Sequence, residues 1–171
     1  NNSVHLFKPK FFVRYAPGNM RIENSGSRLS PIKAFGLNRL DNSNNFESGL
    51  SATLGFDYEL EKNNKNFDFS LAQVINEKEN KKMPTVTGLD EKLSDIVGSA
   101  NLKINNKFNL NYNFALDQNY EDLNYNEIGT SVNLNALALN LNYLQEKKHI
   151  GDQEYFKTKL NLKNTENSSF V

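Results

Sequence analysis

Between residues 107 and 117 an apolar side chain occupies every second position (Phe108, Leu110, Tyr112, Phe114, Leu116), and nearly everything between them is Asn or Lys. A period of two is the mark of a β-strand with one oily and one wet face. The same period returns in residues 46–60 (Phe46, Leu50, Leu54, Phe56, Tyr58, Leu60), 137–143 (Leu137, Leu139, Leu141, Tyr143) and 156–162 (Phe156, Leu160, Leu162). Extended to the weaker segments, the pattern predicts eight strands at residues 8–15, 46–60, 66–75, 96–105, 107–118, 126–135, 137–147 and 153–163. A short helix is expected in the 76–95 connection. Thr87-Gly88-Leu89-Asp90 has capping-box spacing there, and Leu89 and Leu93 lie one turn apart.

The connections alternate in length. Short polar turns fall at residues 61–65, 105–107, 135–136 and 164–167. Longer loops fall at 16–45, 76–95, 119–125 and 148–152. In an up-and-down antiparallel sheet all the short turns lie at one end and all the long loops at the other. Bacterial outer-membrane barrels have this asymmetry, with strands of about ten residues that alternate apolar-out and polar-in. The fold class expected is therefore all-β: antiparallel up-and-down strands forming a partial wall of a large transmembrane β-barrel.

Composition narrows the choice. Mean hydropathy is negative and about one residue in six is Asn. No run approaches the roughly 18 apolar residues of a spanning helix, which excludes a helical membrane protein. Cysteine is absent, so the chain offers no disulfide, thiolate nucleophile or cysteine metal site. Twenty basic and twenty acidic residues cancel, removing the electrostatic footprint of a general nucleic-acid binder. The first residue is Asn, no signal peptide precedes Val4, and residues 168–171 read as the start of another strand. The 171 residues are accordingly expected to be one barrel segment, incomplete at both ends.

Periodicity alone leaves open whether the apolar face meets lipid or a soluble core, since either hides it from water. A soluble β-sandwich or lipocalin-like barrel is the alternative. Two features favour lipid: several strands are long enough to cross a bilayer at a tilt, and their polar faces carry full charges such as Glu47, Asp57, Glu59 and Lys103, which a wet lumen accepts. Glu47, Ser51, Thr53, Asp57 and Glu59 are the candidate lumen-facing residues. Leu50, Leu54, Phe56, Leu110, Phe114, Val132, Leu134, Leu139 and Leu141 are expected to face outward. Gly49 and Gly55 share the inner face, where they either leave room for a close neighbour or relieve a curved wall. The 16–45 loop carries Met20, Ile22, Leu29, Ile32, Phe35, Leu37 and Leu40. A loop that oily is expected to fold inward or cap the barrel, with Arg21, Arg28 and Arg39 pairing with lumenal carboxylates or with lipid phosphates.

Chemistry beyond binding finds little support. His5 and His149 are isolated near opposite ends, and no convergent Ser/His or Asp/His set is identifiable. Glu77, Glu79, Asp90, Glu91 and Asp95 lack the spacing of a calcium loop and read as solvated loop charge. Stacked Asn ladders of an adhesive or amyloid-like repeat would require a fixed repeat period, and none is visible. No enzymatic activity and no cofactor are expected.

Motif-like words cluster in the first hundred residues. Lys10-Phe11-Phe12-Val13-Arg14-Tyr15-Ala16-Pro17-Gly18, followed by Ser30-Pro31-Ile32-Lys33-Ala34-Phe35-Gly36-Leu37-Asn38-Arg39, resembles the barrel domain of the LptD family of lipopolysaccharide-assembly proteins. There a strand ending in an Arg-Tyr-x-Pro-Gly type turn leads to a loop with a Phe-x-Leu-Asn-Arg type motif. Phe46-Glu47-Ser48-Gly49-Leu50-Ser51-Ala52-Thr53-Leu54-Gly55 is similar to the strand after that loop. Phe69-Ser70-Leu71-Ala72-Gln73-Val74 and Leu93-Ser94-Asp95-Ile96-Val97-Gly98 resemble the next two. Later strands match only as generic barrel strands. The resemblance implies a barrel in the outer membrane of a Gram-negative bacterium that receives lipopolysaccharide from a periplasmic bridge protein (LptA-like), holds a plug lipoprotein (LptE-like), and delivers its cargo to the outer leaflet. The family's disulfides, periplasmic domain and lateral gate would lie outside this stretch. A passive porin-like barrel, sharing the strands without these motifs, and a soluble β-sheet binding module are the competing readings.

Overall fold

The computed structural model describes residues 3–134, 137–147 and 151–162. The turns expected at 135–136 and 164–167, the strand start at 168–171 and His149 lie outside these residues. Eight strands are present: β1 Ser3–Ala16, β2 Gly49–Lys62, β3 Lys65–Asn76, β4 Ile96–Ile104, β5 Phe108–Leu116, β6 Leu123–Asn133, β7 Leu137–Glu146 and β8 Gln153–Leu162. Each pairs antiparallel with the next in chain order, in one sheet. Among the described residues β1 and β8 do not pair, so the sheet is an open, up-and-down wall.

Strand ends depart from expectation for local reasons. β1 starts at Ser3, ahead of the predicted residue 8, because Val4, Leu6 and Phe7 break the alternation even though the ladder to β2 runs unbroken from Ser3 to Ala16. Pro9 is accommodated because β1 is an edge strand among the described residues. β2 starts at Gly49 rather than at residue 46, since Gly49 takes φ 113°, a left-handed value that ends the loop and re-aims the chain. Two short turns are made by Asn63 (φ 49°) and Asn105 (φ 52°), whose side chains tolerate the left-handed region.

Strand register sorts the side chains into two faces. One carries Phe7, Phe11, Val13 and Tyr15 of β1, Leu50, Leu54, Phe56 and Tyr58 of β2, and Phe67, Phe69 and Leu71 of β3. It continues through Leu102, Leu110, Phe114, Ile128, Leu139, Leu141, Phe156 and Leu160. The other carries Lys8, Lys10, Thr53, Asp57, Glu59, Asp68, Ser99, Asn101, Asn111, Asn113, Glu127, Asn142 and Lys157.

The buried core lies on the polar face, at the long-loop end. Ala72, Val74, Val97 and Ala115 of the sheet meet Met20, Leu29, Ala34 and Leu40 of the β1–β2 loop and Met83 and Leu89 of the β3–β4 loop. The oily β1–β2 loop thus folds inward over the sheet. Within it, Ser30-Pro31 starts a one-turn helix, α1 (Pro31–Ala34). Ser30 caps it in an extended conformation and accepts a hydrogen bond from the Lys33 amide at 3.2 Å, while Pro31 fills a first-turn position that needs no donor. The helix expected to start at Thr87 is absent. A single 3-10 turn, Thr85–Thr87, ends where that helix would begin, because Gly88 turns left-handed (φ 65°). The carbonyls of Leu89 and Glu91 are instead taken by the Asn76 side-chain amide, at 3.1 and 2.8 Å, which removes them from any helical ladder.

Candidate functional site: the polar face and its inward loop

One row of the sheet shows how the loop is seated. Lys10, Gly55, Ala72, Val97, Ala115, Tyr125 and Glu146 lie side by side on β1 to β7, through successive register pairs. Small side chains in the middle of this row make a trough, and the loop occupies it. At Gly55 an added Cβ would stand 2.2 Å from the Leu71 carbonyl oxygen and 3.1 Å from the Phe35 ring, so glycine is required by close approach. Phe35 of the loop lies against this spot, with the Lys10 ammonium 4.9 Å above its ring centre. Gly49 and Gly55, paired in the sequence reading, therefore do different things. Gly49 serves backbone conformation in open space; Gly55 serves contact.

The loop is held at both ends of the trough. Near β1 and β2, Glu47 accepts from Arg39 Nε at 2.7 Å and from Arg14 Nη2 at 2.8 Å, and Arg39 Nη2 also reaches both Glu47 and the Ser51 hydroxyl (3.0 Å). Arg14 Nη1 donates to the Glu47 carbonyl at 2.7 Å. All four residues are buried, with two guanidiniums about one carboxylate, and Arg14 Nε has no hydrogen-bond partner among the described residues. Asn38 orients the group, since its side-chain oxygen accepts from the Glu47 amide and its side-chain amide donates to the Asn45 carbonyl. Thr53 Oγ1 donates to the Ala34 carbonyl at 2.9 Å, fixing the end of α1 to the sheet. On the far side, Arg28 pairs with Glu146 and lies 4.5 Å from the centre of the Tyr125 ring. That contact joins residues 118 positions apart in sequence and ties the loop across the wall from β1 and β2 to β7.

The candidate residues separate accordingly. Ser51 and Thr53 are buried beneath the loop, Glu47 precedes β2 instead of lying within it, and Asp57 and Glu59 sit lower on β2. Asp57 pairs with Lys10 and Glu59 with Lys8, both at 2.6 Å. Of the three loop arginines, Arg39 and Arg28 form the ion pairs above. Arg21 is exposed, with its backbone amide bonded to the Asn45 side chain. Outside the strands, Lys33 reaches both Asp41 and the Ser27 hydroxyl, and the Ser27 amide also donates to Asp41. The Lys33 hydrogen bond, with help from Ser27 against modest desolvation, holds the Asp41 carboxyl below the ordinary aspartate range.

Toward the short-turn end the same face is bare. A cleft of about 250 Å³ is lined by Asp68, Ser70, Ser99, Asn101, Asn111, Asn113, Glu127 and Asn142. These amides, hydroxyls and carboxylates offer many hydrogen-bond donors and acceptors and no paired nucleophile and base. No group of metal-ligating side chains is present among the described residues, and no described helix is long and apolar enough to cross a membrane.

Sequence reasoning missed Arg14, Glu146, Tyr125 and Asn76. Arg14 stood in the motif that carried the resemblance, but nothing local marked it as half of a buried cluster. Searches of curated proteins and of solved structures found no match. The family model described as LptD, LPS transport system D, matches residues 1–168, nearly the whole chain. This chain belongs to the LptD family.

Proposed function

We propose that this chain forms part of the wall of an outer-membrane β-barrel that delivers lipopolysaccharide to the outer leaflet, with the long loops outside and the short turns in the periplasm, and that it catalyses no reaction. The observation that carries this reading is inverted sidedness. The polar face is covered by the chain's own loops at its long-loop end and carries ion pairs, whereas Phe7, Phe11, Val13 and Tyr15 of β1, with Leu50 and Leu54 beside them on β2, and Phe156, Leu160 and Leu162 of β8, all on the apolar face, stand exposed. Burying one such side chain is worth about 1.5–3 kcal/mol, and soluble monomers rarely leave a contiguous apolar face of this extent bare. A bilayer supplies the missing cover.

On this reading Asp57 and Glu59 line a wet lumen, Ser51 and Thr53 form the floor on which the loop rests, and Glu47 fastens that loop. The bare cleft toward the turn end faces the side from which an LptA-like bridge protein would bring cargo, and gives an LptE-like plug lipoprotein polar wall to touch. Depletion of the full-length protein in its native cell tests the role. Newly made lipopolysaccharide is expected to build up at the inner membrane or periplasm and to fall at the surface. Undiminished surface delivery would overturn the assembly role and favour a passive, porin-like barrel.

A further inference from the structure

Ala52, Gly98 and Ala100 are small residues among large ones on the apolar face, and the first two are treated differently. At Gly98 the gap is filled, since the Phe114 ring lies where a Cβ would stand, 2.2 Å from it. At Ala52 it is left open. Val13, Ala52 and Ile75 are register neighbours on β1, β2 and β3. With a small centre between two β-branched flanks they leave a depression of about 350 Å³, bordered above by Leu50, Glu77 and Lys92. Elsewhere on these strands aromatic pairs close the surface, as Phe7 does with Phe56 and Phe56 with Phe69 (ring centres 5.2 and 5.7 Å apart).

The rim of the depression is held in place by backbone. The Asn76 amide donates to the Lys92 carbonyl at 2.8 Å, the Glu77 amide donates to the Leu50 carbonyl at 3.0 Å, and Ile75 bridges to Leu93. The lysine is exposed. Its neighbour Lys81 is engaged with Glu79 and Glu91, whereas Lys92 makes no ion pair among the described residues. A hydrocarbon slot therefore has at its long-loop rim an exposed lysine, without an ion pair among the described residues, and the carboxylate residue Glu77.

We infer that this slot is a lipid site on the outside of the wall. It takes one acyl chain of a phosphorylated, multiply acylated lipid of the outer leaflet, with a phosphate on the Lys92 ammonium and an exposed hydroxyl or amine of the headgroup within reach of Glu77. The occupant is the lipopolysaccharide anchor already resident in the leaflet, held against the barrel exterior and distinct from cargo in the lumen. The inference rests on the membrane reading above, because only that reading brings acyl chains to this face.

The test uses the full-length protein in detergent, stripped of native lipid, with hexa-acyl diphosphoryl lipid A added and the bound copies counted by native mass spectrometry. Ala52→Leu fills the slot and Lys92→Gln removes the cation. Both lie on the outer face or rim, away from the loop fastenings, and unchanged heat-dependent mobility on a gel reports that the barrel is folded. Beyond any copy held in the lumen, one retained copy is expected for the unaltered protein, with affinity for that copy about tenfold weaker in each variant, the size expected for one lost charge-assisted contact or an obstructed chain site. Lipid A without phosphates should bind the unaltered protein and Lys92→Gln alike. Equal affinity of all three proteins for the diphosphoryl lipid would overturn the site, as would a Lys92→Gln loss that persists without phosphate. Failure of the membrane reading is read separately, from tryptophan placed at Leu110: absence of quenching by brominated lipid sinks that reading, whereas strong quenching with an unaffected Ala52→Leu sinks only the slot.

Discussion

The two halves of the polar face are built from one sheet by one alternation, yet they are filled in opposite ways. At the long-loop end the wall presents Ala72, Val74, Val97 and Ala115 and is covered by a loop that brings its own apolar residues and a buried charge cluster. At the short-turn end it presents Asn101, Asn111, Asn113 and Asn142 and is covered by nothing described. The difference teaches that the strands themselves choose where the lumen is plugged. Small side chains make a seat, and amides keep a surface that water can wet. Stability is concentrated in the first half and wettability in the second.

Glu47→Gln should break the comparison most severely. It leaves two buried guanidiniums about a neutral amide, and removing one partner of a buried pair costs about 3–5 kcal/mol. Denaturant unfolding of the refolded protein in detergent should show that loss, together with protease cleavage in the 17–48 loop. Next comes Gly55→Ala, which forces a methyl against the Leu71 carbonyl and the Phe35 ring. Overpacking of this kind costs about 1–3 kcal/mol, and Phe35→Ala in the same chain should recover only the ring's share, since the carbonyl remains.

Acid sharpens the contrast more gently. Because the folded Asp41 carboxyl lies below its ordinary range, its contribution is complete above the unfolded value and is lost as pH falls through the folded one. Loop protection against protease should therefore drop only in the acid range below that of an ordinary aspartate, and Asp41→Asn should remove that step without affecting the turn-end half. The smallest effect is expected at Asn111→Ala, an amide over the open cleft whose oxygen accepts from the Asn109 side chain at 3.3 Å, and the change in stability should be less than about 0.5 kcal/mol. A larger loss in the same denaturant assay would mean that the bare half is stapled by something more than solvated amides.

The sequence disclosed the wall better than its fastenings. All eight strands were legible because each repeats a two-residue period long enough to survive occasional breaks, and the inward fold of the 16–45 loop was legible from its seven apolar residues, of which Met20, Leu29 and Leu40 are buried and Phe35 packs beside them while Ile22, Ile32 and Leu37 stand exposed. Ser30-Pro31 starts α1 where only a loop is expected, and the helix expected at Thr87 gives way to the left-handed Gly88 and to the claims of Asn76 on nearby carbonyls. Arg28 was named as a pairing residue, but its partner was not, because a contact 118 residues away leaves no local periodic trace. Glu47 was placed on a strand face by extending the alternation three residues too far, past a glycine whose φ of 113° ends it.

The loop between Ala16 and Gly49 leaves the sheet and returns to it at residues that are themselves register partners, with open space around Gly18 (φ 128°) and Gly49 (φ 113°). Such an insertion behaves as a cassette. Its length affects closure entropy only logarithmically, and the ladder beneath it is already complete. The wall asks three things of any replacement: a carboxylate for Arg14, a cation for the buried Glu146, and a group flat enough to lie on Gly55. A segment of other length that meets these demands can therefore stand in for this one while the strands stay fixed, so the frame and its inner cover are separable parts.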